Sequence, residues 1–284
     1  SVIGPIIPPS IPVIIYALIV SGVSVPALFL AGIIPGLLLA LFLSAYVALT
    51  VRVKAVTADP GLAGPGTRQA LLGGILPLLM PVFVVGSILL GVVTPTEAAS
   101  FAVAYALVLG TAVYRRITLA SLCRISCNAP RDSAVILIII ATVAAANWLL
   151  TYNRVPNMLT DWVIGNVDSK TMFLLATIML FLFVGLFLEG IAAMLVLVPI
   201  LHPIAVSMGV DPVHFGILVI FNLMIGLITP PLGLCLFVAE EIAKVGMVRL
   251  TRSILPFFLV EVLVLLILTF VPQTVIFLPQ LLGY

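Results

Sequence analysis

Charge is what this chain has least of. Only 8% of its 284 residues are Asp, Glu, Lys or Arg, against about 25% in ordinary soluble domains. With 63% hydrophobic residues and a mean hydropathy of +1.40, a solvated globular domain is excluded. A formal net charge of +2 gives no electrostatic grip on nucleic acid. Cysteine is nearly missing too: Cys123, Cys127 and Cys235 define neither a disulfide framework nor, without paired histidines or acids, a metal cluster. The two histidines form no H-E-x-x-H motif and have no convincing acid partner, and no Walker A loop is present. These gaps argue against an intramembrane enzyme and against ATP hydrolysis. Period-two alternation of polar and apolar residues is absent, which argues against a transmembrane barrel.

What the chain does have is long apolar runs. The stretch 171–188 carries no charge, and comparable runs lie near 28–50, 71–93, 97–114, 133–150 and 253–271. Each approaches the roughly 20 residues a helix needs to cross the hydrocarbon core, so the fold class is an all-α polytopic membrane protein. Arg52, Lys54 and Arg68 crowd one connector, and Arg115, Arg116, Arg124 and Arg131 another. Arginine- and lysine-rich connectors stay cytoplasmic, which places the turn around Val93–Thr96 outside. The segment 151–168 reads as an interfacial helix. The apolar stretch 171–208, interrupted by GLFLEG, fits either two spans or one span and a half-length element. No initiator methionine or basic leader precedes the first motif, so the chain reads as a polypeptide whose upstream helices lie outside this sequence.

Two breaks interrupt the apolar pattern, SVIGPIIPPSIP at 1–12 and GLITPPLG at 226–233. Each is followed by a short apolar helix, a glycine-containing turn and a full span. The intervals from the proline pair to the next aligned proline are 26 and 25 residues, from Pro9 to Pro35 and from Pro231 to Pro256. This is an internal repeat, and paired Gly/Pro-interrupted segments point to the binding site of a secondary transporter. Each break reads as a hairpin dipping into the membrane, the alternative being a helix kink that aids packing. Proline lacks an N–H and glycine permits unusual backbone angles, so such bends leave carbonyls free for a cation and helix N-termini free for a carboxylate. Ser10 and Thr229 add hydroxyl oxygens beside them.

The ordered strings GPIIPPSIP, GVVTPTEAASFAVAYAL, FLEG, GVDPVHFG and GLITPPLGLCLFVA resemble the large membrane subunit of tripartite ATP-independent periplasmic (TRAP) transporters. The resemblance covers essentially the whole chain. It implies ion-transporter-like inverted repeats with two re-entrant helical hairpins and an elevator-type architecture. It also implies a bacterial or archaeal cell-membrane location, the inner membrane in Gram-negative organisms. The implied activity is symport of an organic acid such as a C4-dicarboxylate or sialic acid, with sodium ions for coupling and no other cofactor. The implied partners are a small TRAP membrane subunit, a periplasmic substrate-binding protein and membrane lipid. A sodium- or proton-coupled organic-anion carrier without a binding protein is the alternative. On this resemblance the parts are 1–24, tip and second arm of the first hairpin; 25–150, transmembrane helices with the TPTE break; 151–208, interfacial segment and helices; 209–245, the second hairpin; and 246–284, final helix and tail. The tips fall at Gly4, Pro5, Pro8, Pro9 and Ser10 and at Gly226, Thr229, Pro230, Pro231 and Gly233. Ser10 and Thr229, with neighbouring carbonyls, become the sodium candidates, and Thr94, Pro95, Thr96 and Glu97 a third wall of the cavity.

The remaining polar residues read more modestly. Glu97 either serves the cavity or caps the helix that follows, and Glu189 either lines the cavity or braces it. Asp211 is a natural cap for the helix after it. Asn147 and Asn222 read as hydrogen bonds across packed interfaces, with Asn222 one turn from the second tip and so nearer the cavity. His202 reads as a packing histidine, and Glu261 as facing protein or a partner.

Overall fold

The computed structural model of the chain describes residues 3–54, 67–167, 169–230 and 233–284. Among these residues there is no strand. The helices are α1 (Ile11–Ile19), α2 (Val25–Lys54), α3 (Thr67–Leu89), α4 (Pro95–Val108), α5 (Leu119–Tyr152), α6 (Val155–Asn166), α7 (Lys170–Gly185), α8 (Gly190–Ser207), α9 (Pro212–Gly226), α10 (Leu234–Ala243), α11 (Met247–Phe270) and α12 (Gln273–Leu281). Five helical stretches among the described residues are long and apolar enough to cross a membrane, one of them, Pro95–Val113, made of α4 and the turn that continues it. By contact the chain divides into two units, Ser1–Tyr46 with Ile139–Tyr284, and Val47–Ile138.

In the Val47–Ile138 unit, α3 and α4 pair antiparallel. The Tyr105 hydroxyl donates to the Leu76 carbonyl at 2.8 Å, and Phe83 meets Phe101 edge-on with ring centroids 6.3 Å apart. The end of α4 widens into a π-helical turn over Leu109–Val113. Helix α5 begins at Leu119, so Arg124 and Arg131, expected in a connector, stand on a helix instead. Arg52 and Lys54, read in the other connector, stand on α2 and Arg68 on α3, and residues 55–66 between them lie outside the described residues.

The other unit is built around α9, which is buried from His214 to Gly226, the environment that a helix apolar on every face requires. Asp211 starts it: its carboxylate accepts from the backbone N–H of Val213 at 2.8 Å and of His214 at 3.0 Å. Helix α7 runs parallel to α9. Phe173 stacks on Phe215 at 6.5 Å, Asn222 Nδ2 donates to the Ile178 carbonyl at 2.9 Å, and Gly185 abuts Gly226. Helix α8 runs the other way, with Gly190 against Leu223 and His202 6.3 Å from Phe215.

Helices α7 and α8 therefore form a hairpin whose tip is Leu186–Glu189. Its outer ends meet where Lys170 Nζ donates to the Gly209 carbonyl at 2.7 Å. With 18 residues, α8 is long enough to cross a membrane, and this contact returns the chain to the end where the 16-residue α7 began. The 171–208 stretch, open between two readings in sequence, is this hairpin.

The direction of α11 corrects the hairpin expected at 209–245. His214 Nε2 donates to the Leu268 carbonyl at 2.9 Å, and α11 ends at Phe270. Packing along their length thus requires α9 and α11 to run in opposite directions. The 24 residues of α11 extend about 36 Å, and the three-residue link from α10 to α11 spans about 10 Å at most. Helix α10 cannot turn back toward the start of α9 and still reach the start of α11. GLITPPLG thus lies between two helices that run on in one direction, and the reversal of the chain lies one element earlier, at Leu186–Glu189.

Helix α1 ends beside the start of α9. The buried Tyr16 hydroxyl donates to the Pro212 carbonyl at 2.9 Å, and the missing side chain of Gly216 leaves room for its ring, which an added Cβ would meet at 2.5 Å. Tyr16→Phe is expected to cost about 1 kcal/mol, a typical net value for one hydrogen bond. Thermal unfolding of the purified protein should show a midpoint a few degrees lower; an unchanged midpoint would deny the bond any part in stability.

Candidate functional site

The first break is shaped by its own side chains. Over residues 3–9 the backbone turns without helix, the Pro8–Pro9 peptide being cis. Ser10 is buried and caps α1, accepting from the Val13 N–H at 3.4 Å and donating its proton to the Pro5 carbonyl. Gly4 and Pro9 lie in the turns and bends around it. The Ile6 carbonyl points at α2, where only a glycine fits: a Cβ on Gly32 would lie 2.5 Å from that oxygen. One turn on, Gly36 receives the Ile7 side chain, which an added Cβ would meet at 2.4 Å.

The second break is tied across its own gap. Gly233 N–H donates to the Thr229 carbonyl at 3.0 Å and Cys235 N–H to the Leu227 carbonyl at 3.0 Å. The Thr229 hydroxyl donates to the Ile225 carbonyl at 2.8 Å. With its proton committed to protein, this hydroxyl offers only lone pairs to anything else, as a cation requires. Pro230 sits in the same turn, and Pro231 lies outside the described residues. Gly233 takes φ +21°, and a Cβ there would meet Leu236 at 2.7 Å.

A cleft of about 170 Å³ opens here, lined among others by Gly185, Leu188, Glu189, Gly190, Gly226 and Gly233. Four helix ends converge on it: the C-termini of α7 and α9 and the N-termini of α8 and α10. C-terminal carbonyls favour cations and N-terminal N–H groups favour anions. Glu189 decides the local balance. Its carboxylate accepts from the Ala192 N–H at 3.0 Å, so one helix N-terminus already holds its anion. Glu189 thus both lines the cleft and braces it. The close approach of the α7–α8 tip to the second break depends on glycine at 226, since a Cβ there would come within 3.1 Å of the Gly185 carbonyl oxygen. Gly185 and Gly190, the tip's own glycines, were not among the residues singled out from sequence. Their only signal is their position flanking LFLE in the 185–190 interruption.

The other expected residues sit as follows. Thr94 and Glu97 form a reciprocal cap on α4: the Thr94 N–H donates to the Glu97 carboxylate at 2.8 Å and the Glu97 N–H to the Thr94 hydroxyl at 3.3 Å. Pro95 and Thr96 fill the first turn between them. All four belong to the Val47–Ile138 unit, and the cleft to the other. Asn222 is absent from the cleft lining; it holds α9 to α7, while among the described residues its Oδ1 has no hydrogen-bond partner. Asn147 Nδ2 donates to the Leu195 carbonyl at 3.1 Å. His202 packs edge-on against Tyr16 with centroids 6.5 Å apart. Glu261 is buried on the face of α11 that also carries Val264, Leu265 and Leu268. No group of three His, Cys, Asp or Glu able to hold a metal ion occurs among the described residues.

Residues 1–274 match the DctM component of the tripartite ATP-independent periplasmic transporter family. The chain is 39% identical over 284 residues to the sialic acid TRAP transporter large permease protein SiaM of Vibrio cholerae, covering 100% of this chain and 66% of that one. It is 36% identical over 298 residues to the C4-dicarboxylate TRAP transporter large permease protein DctM of Rhodobacter capsulatus, covering 99% and 67%. Against the 2,3-diketo-L-gulonate TRAP transporter large permease protein YiaN of Escherichia coli it is 34% identical over 280 residues, covering 97% and 65%. The chain thus spans about two thirds of the length of these curated relatives. Matching over nearly its whole length, with breaks, caps and apolar helices in one order, this multi-pass inner-membrane chain belongs to the large permease (DctM) family of TRAP transporters.

Proposed function

We propose that the protein carries an organic acid across the inner membrane by sodium-coupled symport, fed by a periplasmic binding protein and assembled with a small membrane subunit. The observation that carries the reading is the cleft between the α7–α8 tip and the α9–α10 break, where the carbonyl ends of α7 and α9 meet the N–H ends of α8 and α10, and Thr229 lies in the turn between the lining residues Leu227 and Gly233. Relatives whose names specify sialic acid, C4-dicarboxylates and 2,3-diketo-L-gulonate support an organic acid as the substrate class. Helix α1 leads from the first break toward the end where α9 begins, and α10 leads from the second break away from it. That opposition supports inverted repeats, with each break supplying carbonyls from an opposite approach. An elevator-type cycle would move the unit that carries both breaks as one body. Within it, Ser10 holds the first break closed on Pro5, and Thr229 presents its oxygen at the second. Gly4, Pro5, Pro8 and Pro9, with Gly226, Pro230 and Gly233, shape the backbone of the two sites.

Thr229→Ala in the complete transporter should raise the sodium concentration for half-maximal uptake about tenfold, as expected when a charged species loses one polar partner. Ser10→Ala should do the same and also loosen the start of α1. The measurement is reconstituted uptake of candidate acids against sodium concentration, with and without the binding protein. Unaltered sodium activation in a well-expressed Thr229→Ala protein would remove that hydroxyl from the site. Sodium-driven uptake that ignores the binding protein would favour an independent organic-anion carrier instead.

A further inference from the structure

We propose that the turn between α10 and α11 is a binding site for an anionic phospholipid. Lys244, Arg249 and Arg252 line an open cavity of about 630 Å³ there, together with Val245, Gly246, Met247 and Val248. The turn has this shape because Lys244 and Gly246 both take left-handed backbone angles, φ +52° and +77°. The chain thereby reverses within three residues and brings Lys244 to the same cavity as two arginines one turn apart on α11. No hydrogen bond or ion pair engages these three side chains among the described residues. Glu240 and Glu241 precede the turn on α10 and are not part of the lining.

Two observations favour a lipid over a free anion. First, α11 has 24 residues and is long and apolar enough to cross a membrane, so its first turn stands at headgroup level. Second, the cavity continues into an apolar track. Val248, Arg252, Leu255, Leu259 and Leu263 are all exposed, and their spacing of four, three, four and four residues keeps them on one helix face. A phosphate held by Arg252, Arg249 and Lys244 would leave its acyl chains lying along the leucines below. Guanidinium groups grip phosphate through paired N–H donors, and Lys244 adds a point charge. Basic residues at a helix end also mark the cytoplasmic side, whose leaflet holds anionic lipid. Because α10 leads from this turn back to the second break, an occupied site would steady the far arm of that break.

The test uses the complete transporter purified in mild detergent and then reconstituted in phosphatidylethanolamine vesicles with or without phosphatidylglycerol. Wild type should retain phosphatidylglycerol in native mass spectrometry. The combined variant Lys244→Gln, Arg249→Gln, Arg252→Gln should lose it, with affinity lower by on the order of a hundredfold, at about fivefold for each cation. Uptake by wild type should rise when phosphatidylglycerol is present, and the variant should not respond. Arg249→Lys with Arg252→Lys keeps the charge and should retain part of the binding, which separates loss of the site from misfolding. Equal lipid retention by wild type and the glutamine variant would overturn the proposal. So would displacement of the lipid by inorganic phosphate alone, which would indicate a soluble anion, or a partner protein cross-linked over these residues in the assembled transporter.

Discussion

Gly32→Ala is expected to abolish most uptake and to lower the yield of folded protein. A Cβ at this position would sit 2.5 Å from the Ile6 carbonyl oxygen. That oxygen belongs to the backbone of the first break, so relief requires moving the break rather than a side-chain rotation. The turn around it is fastened by the Ile6 and Ile7 N–H groups, both donating to the Ile3 carbonyl at 3.1 Å, and by Ser10. Overpacking of a tight contact costs about 1–3 kcal/mol, a substantial share of the 5–15 kcal/mol that holds a typical domain. Gly86→Ala is the control, since nothing lies within 4 Å of the added carbon there, and alanine is the better helix former. Thermal unfolding and reconstituted uptake should separate the two variants clearly. Equal behaviour would mean that the first break does not depend on its seat against α2.

A graded series at Gly226 should show the second large effect. Beside the cleft, the bare Cα of Gly226 on α9 lets the backbone of Gly185 at the end of α7 come close. An alanine Cβ would fall 3.1 Å from the Gly185 carbonyl oxygen and 3.2 Å from its Cα. A shift of a few tenths of an ångström absorbs that, so Gly226→Ala should keep measurable uptake, reduced about tenfold. Valine adds two further methyl groups and forces the hairpin tip off the break. Gly226→Val should reduce uptake at least a hundredfold, consistent with the cost of an ångström-scale misplacement at a positioned site, while the protein still inserts. The paired measurements are sodium-dependent uptake and surface expression. Full uptake by Gly226→Val would deny the cleft a part in transport, whatever the stability of the variant.

Much of the local structure was legible from the residues themselves. T-P-T-E announces a reciprocal cap, and Thr94 and Glu97 form one because a hydroxyl and a carboxylate three residues apart satisfy two otherwise orphaned N–H groups. Asp211 before Pro212 starts α9 for the same local reason. The short helix at Ile11–Ile19 and the turn after it follow from an apolar run ended by Ser21 and Gly22. Each of these depends on neighbours within one or two turns.

The direction of helices could not be read that way. GLITPPLG and GLFLEG both looked like interruptions of apolar sequence, and composition does not say which one turns the chain back. That was decided by contacts between residues far apart in sequence: Lys170 with Gly209, and His214 with Leu268. The seats at Gly32 and Gly216 and the contact of Gly185 with Gly226 are likewise invisible from within their own segments. Sequence by itself determined a membrane-spanning, helical, twice-interrupted chain, because hydrophobicity, proline and capping act along the backbone. Only tertiary structure decided which interruption is a hairpin and which four helix ends share a cleft, because those depend on how separate apolar helices stack.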